Sequence, residues 1–204
     1  MGPSGQRWTL EWGSNRNSLA GATILLLWAR LPAKYQVTNV TPQQARCTAV
    51  KQLHYVAGDN DRGSYIVGVG KDSSARPHHR NSVCSPEEHQ SGGSSACLQW
   101  FYDKIDPDGK CVLVSDAVSG TCFPQANRAN LYTLHGALVG GVKTPTDAGD
   151  ANRAAPSKQG YNDWRTDYQG NEVAIDYNAP LVTTTMLTML LPASFWDMGC
   201  TSAF

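Results

Sequence analysis

YNDWRTDYQGNEVAIDYNA, residues 161–179, sets aromatic, acidic and amide side chains at defined intervals along the chain. Its spacing is Y-x-D-x4-Y-x3-E-x-A-x3-N-A, in which the two carboxylates are Asp163 and Glu172. Apolar residues follow Glu172 directly, and the mainly apolar run continues to residue 191 with Pro180 inside it. Because proline cannot donate a backbone hydrogen bond, this run predicts a helix that begins close to Pro180.

A second pattern lies upstream at SYIVGVGKDSSARPHHR, residues 64–80, and ends in His78, His79 and Arg80. Shorter motifs surround the two patterns, namely WGSN at 12–15, QLHYVAGDN at 52–60 and HGALVGG at 135–141.

Taken together, these motifs resemble the two signatures of glycoside hydrolase family 9, the inverting cellulases. Residues 161–179 match every specified position of one signature, and residues 64–80 depart from the other only at Asp72, where the family has Asn, Lys or Arg. The resemblance implies an all-α fold in which residues 1–204 form part of one catalytic domain, the C-terminal part of an (α/α)6 barrel with long loops. Residues 81–130 are expected to be a Cys-rich loop insertion.

The resemblance also implies catalytic roles for acidic residues. Inverting glycosidases use a protonated carboxylic acid and an ionised carboxylate that activates water, about 6.5–9.5 Å apart. Glu172 is the expected acid, as opposed to a solvated glutamate in a first helical turn. Asp163 is expected in the catalytic region, where it supports loop geometry, or else it caps a turn.

Further site residues follow from the same resemblance. His78 and Arg80 are expected to bind sugar hydroxyls, because imidazole and guanidinium groups donate hydrogen bonds in a defined plane. Arg80 has the alternative role of orienting Glu172. His79 is expected to support substrate binding from a second layer or to be structural. Tyr177 is expected either to contact a sugar ring or to belong to the core.

The catalytic base has no counterpart at the expected place. The family's base lies in an Asp-Ala-Gly-Asp motif near the start of its catalytic domain. This chain has that motif at 147–150, after HGALVGG and therefore in the wrong chain order. The base role is assigned to neither Asp147 nor Asp150, and the base is expected in an N-terminal half of the barrel that this chain lacks.

Composition excludes several partner classes. Seventeen Lys and Arg balance seventeen Asp and Glu, which argues against nucleic-acid binding. The longest apolar stretch, 22–29, is shorter than the roughly 20 residues of a membrane span. No cofactor or metal is expected, since the spacing of His79, Cys84 and His89 matches no standard zinc motif.

Cysteine usage favours an oxidising compartment. Four of the six cysteines lie between residues 84 and 122, a pattern typical of disulfides that staple a loop in a secreted protein. The alternative is that they are buried free thiols. We expect secretion, although residues 1–6 contain no secretory apolar run.

Local patterns predict the remaining elements. Residues 17–31 and 41–58 are expected helices, and Thr41 and Gln44 form a T-x-x-Q capping box for the second of them. A short helix is expected at 131–139 and a strand at 112–114.

The function implied is an endo-β-1,4-glucanase that hydrolyses cellulose or another β-1,4-glucan. The chain would supply the acid and the hydroxyl ligands, and the missing N-terminal half of the barrel is its expected partner. The alternatives are a non-catalytic glucan-binding remnant of the same fold and a helical scaffold without a ligand.

Overall fold

The computed structural model describes the following residues: 6–37, 39–60, 62–79, 82, 104–105, 111–112, 129–130, 132–143, 161, 163, 165, 167–197 and 200. The regular elements of this part are mainly helical. In chain order they are α1 (Ser14–Trp28), a 3₁₀ helix (Ala33–Tyr35), α2 (Pro42–Ala57), β1 (Lys104–Ile105), β2 (Cys111–Val112), α3 (Tyr168–Asn171), α4 (Ile175–Met189) and α5 (Ala193–Asp197). The short strands β1 and β2 pair antiparallel. Of the strand expected at 112–114, only residue 112 lies within the described residues.

Helix α2 forms where its local sequence predicts. The hydroxyl of Thr41 accepts the Gln44 amide at 3.1 Å, and the Gln44 side chain accepts the Thr41 amide at 2.9 Å. Pro42 occupies the first helical position, where its missing N–H costs nothing. Gly58 ends the helix with a φ of 121°, a conformation that favours glycine.

The core forms where α1 packs against both α2 and α4. Leu19 of α1 and Val56 of α2 are fully buried, and they join a cluster that extends into the segments around residues 65–67 and 138–142. Helix α1 begins at Ser14, three residues earlier than expected, because Gly13 adopts a left-handed conformation that turns the chain into the helix.

The prediction of a helix at 131–139 is wrong for those of its residues that the structure describes, 132–139. Leu138 pairs with Ile66, and Val139 pairs with Val173, in isolated antiparallel bridges. Both residues are completely buried, so the apolar run that suggested a helix is an extended segment with neighbours on two sides.

Helix α4 begins at Ile175, five residues before Pro180, and not close to the proline as expected. The amides of Tyr177 and Asn178 already bond to the Ala174 carbonyl, so the first turn closes before the proline is reached. Pro180 removes only one later backbone bond, the one that its own amide would make with Asp176.

A disulfide joins Cys47 in α2 to Cys200 near the C-terminus. Phe195 of α5 is buried in the same place, against Cys47 and Val50. The side chains of the four cysteines between 84 and 122 lie outside the described residues. None of the described helices is long and apolar enough to cross a membrane.

Candidate active site

Three distant segments meet side by side at the centre of the candidate site. The His78 amide donates to the Asn171 carbonyl at 2.8 Å, and His78 forms a parallel bridge with Glu172. On the other side, the Gly140 amide donates to the Glu172 carbonyl at 3.0 Å. These backbone bonds place His78 and Glu172 on neighbouring segments. The sequence analysis had predicted that both residues belong to one site.

The glycines of HGALVGG allow this close approach. A side chain on Gly140 would overlap the carbonyl oxygen of Gln169. Gly141 has a φ of +101°, and a Cβ there would lie 2.6 Å from the Asn15 side chain. Only glycine therefore fits between α3 and the start of α1.

Glu172 directly follows α3 and is half-buried. Its Oε2 accepts the indole N–H of Trp12 at 2.8 Å and the hydroxyl of Tyr177 at 3.4 Å. Among the residues that the structure describes, no donor is found for Oε1. The carboxyl group is thus anchored through one oxygen, Oε2.

Trp12 was missed as a site residue by the sequence reasoning. It lies in the WGSN motif, which was noted only as part of the resemblance, and its ring is 41% exposed beside Glu172. The available signal was that this motif places an aromatic N–H donor directly before a buried helix.

Tyr177 is a core residue whose hydroxyl reaches the site. Its side chain is 3% exposed, and the Arg16 guanidinium covers the ring at 4.9 Å while it pairs with Asp176. Burial, followed by the nearby charge of Glu172, raises the pKa of Tyr177 to about 12. The hydroxyl therefore stays protonated and donates to Glu172, and the ring face is covered and does not offer a stacking surface to a sugar.

His78 is held in a defined orientation. Its Nδ1 lies 2.7 Å from the carbonyl oxygen of Arg165, and because a carbonyl can only accept, Nδ1 carries the proton. Arg165 is buried and bonds through Nε to Asn130 at 2.7 Å. In a neutral ring with this proton on Nδ1, Nε2 is the acceptor nitrogen. The expected contact of His78 with a sugar hydroxyl stays a prediction.

Asp163 contacts the loop that precedes His78. Its two carboxylate oxygens accept the amides of Ala75 at 2.9 Å and Arg76 at 3.3 Å. The Arg76 guanidinium lies 3.7 Å away. These contacts are those of a residue that supports loop geometry.

His79 lies in different surroundings from His78. It lines a groove of about 570 Å³ together with His135, Val173 and Asn178, and Glu172 does not line this groove. Burial, and then the neighbouring His78, lowers the pKa of His79. Its Nδ1 is buried without a hydrogen-bond partner among the described residues.

Other predicted residues cannot be placed. Arg80, Asp147 and Asp150 lie outside the described residues. Within the described ranges, no three His, Cys, Asp or Glu side chains gather in a way that could hold a metal ion.

Comparison with known sequences identifies the family. The profile described as glycosyl hydrolase family 9 matches residues 1–185. Endoglucanase A of Bacillus pumilus is 30% identical over 178 residues, which are 87% of this chain and 19% of that protein. Endoglucanase B of Cellulomonas fimi is 31% identical over 180 residues, 87% of this chain and 12% of that protein. The chain thus spans a fifth or less of the length of these two relatives.

Solved structures agree with the sequence comparison. An endoglucanase from the termite Nasutitermes takasagoensis superimposes with a TM-score of 0.56 and 26% identity, over 92% of this chain and 33% of that chain. Endoglucanase CelQ from Clostridium thermocellum, complexed with cellobiose and cellotriose, gives a TM-score of 0.57 and 26% identity, over 93% and 23%. The expected fold, the C-terminal part of an (α/α)6 barrel, is confirmed. Since the profile matches most of its length, the chain belongs to glycosyl hydrolase family 9.

Proposed function

We propose that this chain carries the general-acid part of an endo-β-1,4-glucanase site that hydrolyses cellulose or a related β-1,4-glucan with inversion. The observation that carries the proposal is the anchoring of Glu172 through Oε2 by Trp12 and Tyr177. Relatives named endoglucanases, and the cellobiose and cellotriose bound to CelQ, support the substrate class.

In this proposal Glu172 donates a proton from Oε1 to the glycosidic oxygen as the bond breaks. The hydrogen bonds from Trp12 and Tyr177 then stabilise the carboxylate that forms, because bonds to an ionised acceptor are stronger than neutral ones. A second carboxylate, about 6.5–9.5 Å away, has to activate the water that attacks from the opposite face. No residue of the described part is assigned that role.

The remaining roles are arranged around the acid. His78 binds a sugar hydroxyl through Nε2, and Arg80 binds a second one. Asp163 supports this arrangement indirectly, since it holds the loop at 75–76 through two amides. His79 supports substrate binding indirectly and does not contact the sugar, because it lines a separate groove.

An N-terminal half of such a barrel is the proposed partner of this part of the chain. Apolar side chains on α1 and α4 are exposed, among them Ile24 at 65%, Met186 at 61% and Met189 at 78%. Helices of the other half would bury these faces and contribute about 25 cal/mol for each Å² of apolar surface removed from water. They would also bring the base.

Secretion is proposed on the basis of the cysteines. The disulfide between Cys47 and Cys200 is of the kind that forms and persists in oxidising compartments. A polysaccharide substrate outside the cell is consistent with this localisation.

The alternative is a non-catalytic glucan-binding remnant, favoured by the out-of-order position of the motif at 147–150. A titration of the 204-residue chain with cellotetraose, with the α-linked maltotetraose as control, tests the glucan site that both alternatives share. We expect binding of cellotetraose alone. Absence of binding would contradict both alternatives, and hydrolysis of soluble cellulose by a complete domain would separate them.

A further inference from the structure

Asn130 carries a buried amide that links the segments around His78. The Asn130 side chain is 7% exposed. Its Nδ2 donates to the carbonyl of Pro77 at 2.8 Å and to the hydroxyl of Ser82 at 2.6 Å. Its Oδ1 accepts the Nε–H of Arg165 at 2.7 Å. One side chain therefore contacts both the residue that precedes His78 and the residue whose carbonyl bonds to the His78 ring.

The orientation of the Asn130 amide is fixed by these neighbours. A carbonyl oxygen can only accept a hydrogen bond, and the Nε–H of arginine can only donate one. Turning the amide over would place Nδ2 against the Arg165 donor and Oδ1 against the Pro77 carbonyl. Both contacts would be repulsive, so the amide has a single favourable orientation.

Arg165 is also held firmly in place. It is 5% exposed, and arginine is almost never this buried unless its charge and its N–H groups have partners. The backbone of His78 is fixed separately, since its amide donates to the Asn171 carbonyl at 2.8 Å. The Arg165 carbonyl, 2.7 Å from Nδ1 of His78, adds what that backbone bond cannot, because it sets which ring nitrogen carries the proton.

We propose that Asn130 and Arg165 are positioning residues that keep His78 in the tautomer with its proton on Nδ1, so that the neutral ring presents Nε2 to the glucan as an acceptor. Neither residue touches the sugar, and both act through His78. This inference rests on the proposed function, in which His78 binds a sugar hydroxyl. It also gives the Cys-rich stretch 81–130, whose last residue is Asn130, a part in the site.

The test compares two substitutions of Arg165 in the 204-residue chain. Arg165→Gln keeps an N–H donor at the position of Nε, whereas Arg165→Met has a similar length and no donor. Both remove the guanidinium group, so a difference between them isolates the hydrogen bond to Asn130. The matched control is Ser82→Ala, which removes another contact of the Asn130 amide and leaves Arg165 unchanged.

NMR shifts of the two ring nitrogens of His78 report its tautomer at about pH 9, above the ordinary histidine pKa of about 6.5. The signals that disappear in His78→Asn are those of His78. Wild type, Arg165→Gln and Ser82→Ala should show the Nδ1–H tautomer alone, and Arg165→Met should show both tautomers. The dissociation constant of cellotetraose should rise about three- to tenfold in Arg165→Met and by less than about threefold in the other two variants.

Equal behaviour of Arg165→Gln and Arg165→Met, in the tautomer or in the dissociation constant, would overturn the inference and leave the proposed function standing. If Arg165→Met does not fold, Asn130→Ala is compared with Asn130→Asp, which keeps an acceptor for Arg165, and the same criterion decides. A wild-type chain that binds no cellotetraose would overturn the proposed function and the inference together.

Discussion

The indole N–H of Trp12 donates a hydrogen bond of 2.8 Å to Oε2 of Glu172 across 160 residues of sequence. Tyr177 donates to the same oxygen from α4, so the Glu172 carboxyl group is oriented by the segment before α1 and by α4 together. A carboxyl group held through one oxygen keeps the other in a constant direction, which is what proton donation to a positioned leaving group requires.

Replacing Glu172 by Gln should abolish turnover in a complete, active domain that contains these residues. The amide keeps the shape and accepts the Trp12 hydrogen bond, yet it cannot donate the proton, so we expect kcat to fall by about 10²–10⁴-fold with oligosaccharide binding retained. Steady-state hydrolysis and cellotetraose titration measure the two effects. Asp59→Asn, an exposed carboxylate in the same chain, is the control. Near-normal hydrolysis by Glu172→Gln would refute the acid assignment.

Replacing Trp12 by Phe should slow turnover without unfolding the domain. Phenylalanine preserves most of the ring but removes the N–H that bonds to Glu172, and a hydrogen bond to a charged group is worth about 1.5–3 kcal/mol. We therefore expect kcat to fall roughly 10- to 100-fold in a complete domain. Trp28→Phe, at the end of α1, serves as control for the loss of an indole. An unchanged kcat would contradict the anchoring role.

Tyr177 should contribute to the pH dependence of stability. Its pKa is raised from 10.0 to about 12 in the folded chain, so its stabilising contribution is full below pH 10 and is lost as pH rises towards 12. The free energy of unfolding should fall over that range, by at most about 3 kcal/mol from this residue. Urea denaturation of wild type and Tyr177→Phe at pH 9 and pH 11 measures the difference. An equal fall in both would show that other groups cause it.

The disulfide between Cys47 and Cys200 should stabilise the packing of α5 on α2. Cys200→Ser should lower the free energy of unfolding by about 2–5 kcal/mol, because the unfolded chain loses a long covalent loop. Thermal denaturation with and without reductant checks this, and the reductant should have a smaller effect on the variant.

Peptide mapping of the same oxidised protein tests the cysteines between 84 and 122. We expect some of Cys84, Cys97, Cys111 and Cys122 to be paired as well. Alkylation of all four without reductant would contradict that expectation.

The chain by itself should hydrolyse carboxymethylcellulose negligibly. The base is expected elsewhere, and general base catalysis contributes about 10²–10⁴-fold. Apolar side chains on α1 and α4 also stay exposed to water, which lowers the stability of the chain by itself. The competing possibility is that Asp147, Asp150 or Asp163 acts as base, with a dimer that closes the barrel. Robust activity that is lost on substitution of one of these aspartates would identify it as the base and overturn the prediction.

Short-range chemistry accounts for what could be predicted from residues alone. The capping box of Thr41 and Gln44 acts over one helical turn, so the start of α2 follows from its own sequence. The two motif spacings were sufficient to assign the family, because they record which side chains the reaction needs. The assignment of Glu172 to the acid role follows from the same spacing and stays a prediction.

Tertiary contacts decided what the local patterns could not. The apolar content of residues 131–139 predicted a helix, but Leu138 and Val139 are extended because they pair with neighbouring segments on both sides. Tyr177 could have been a sugar platform or a core residue, and the packing of Arg16 over its ring made it a core residue. The hydrogen bond between Trp12 and Glu172 depends on α1 packing against α4. The two residues are 160 positions apart, so no local sequence pattern predicts a contact that only folding brings about.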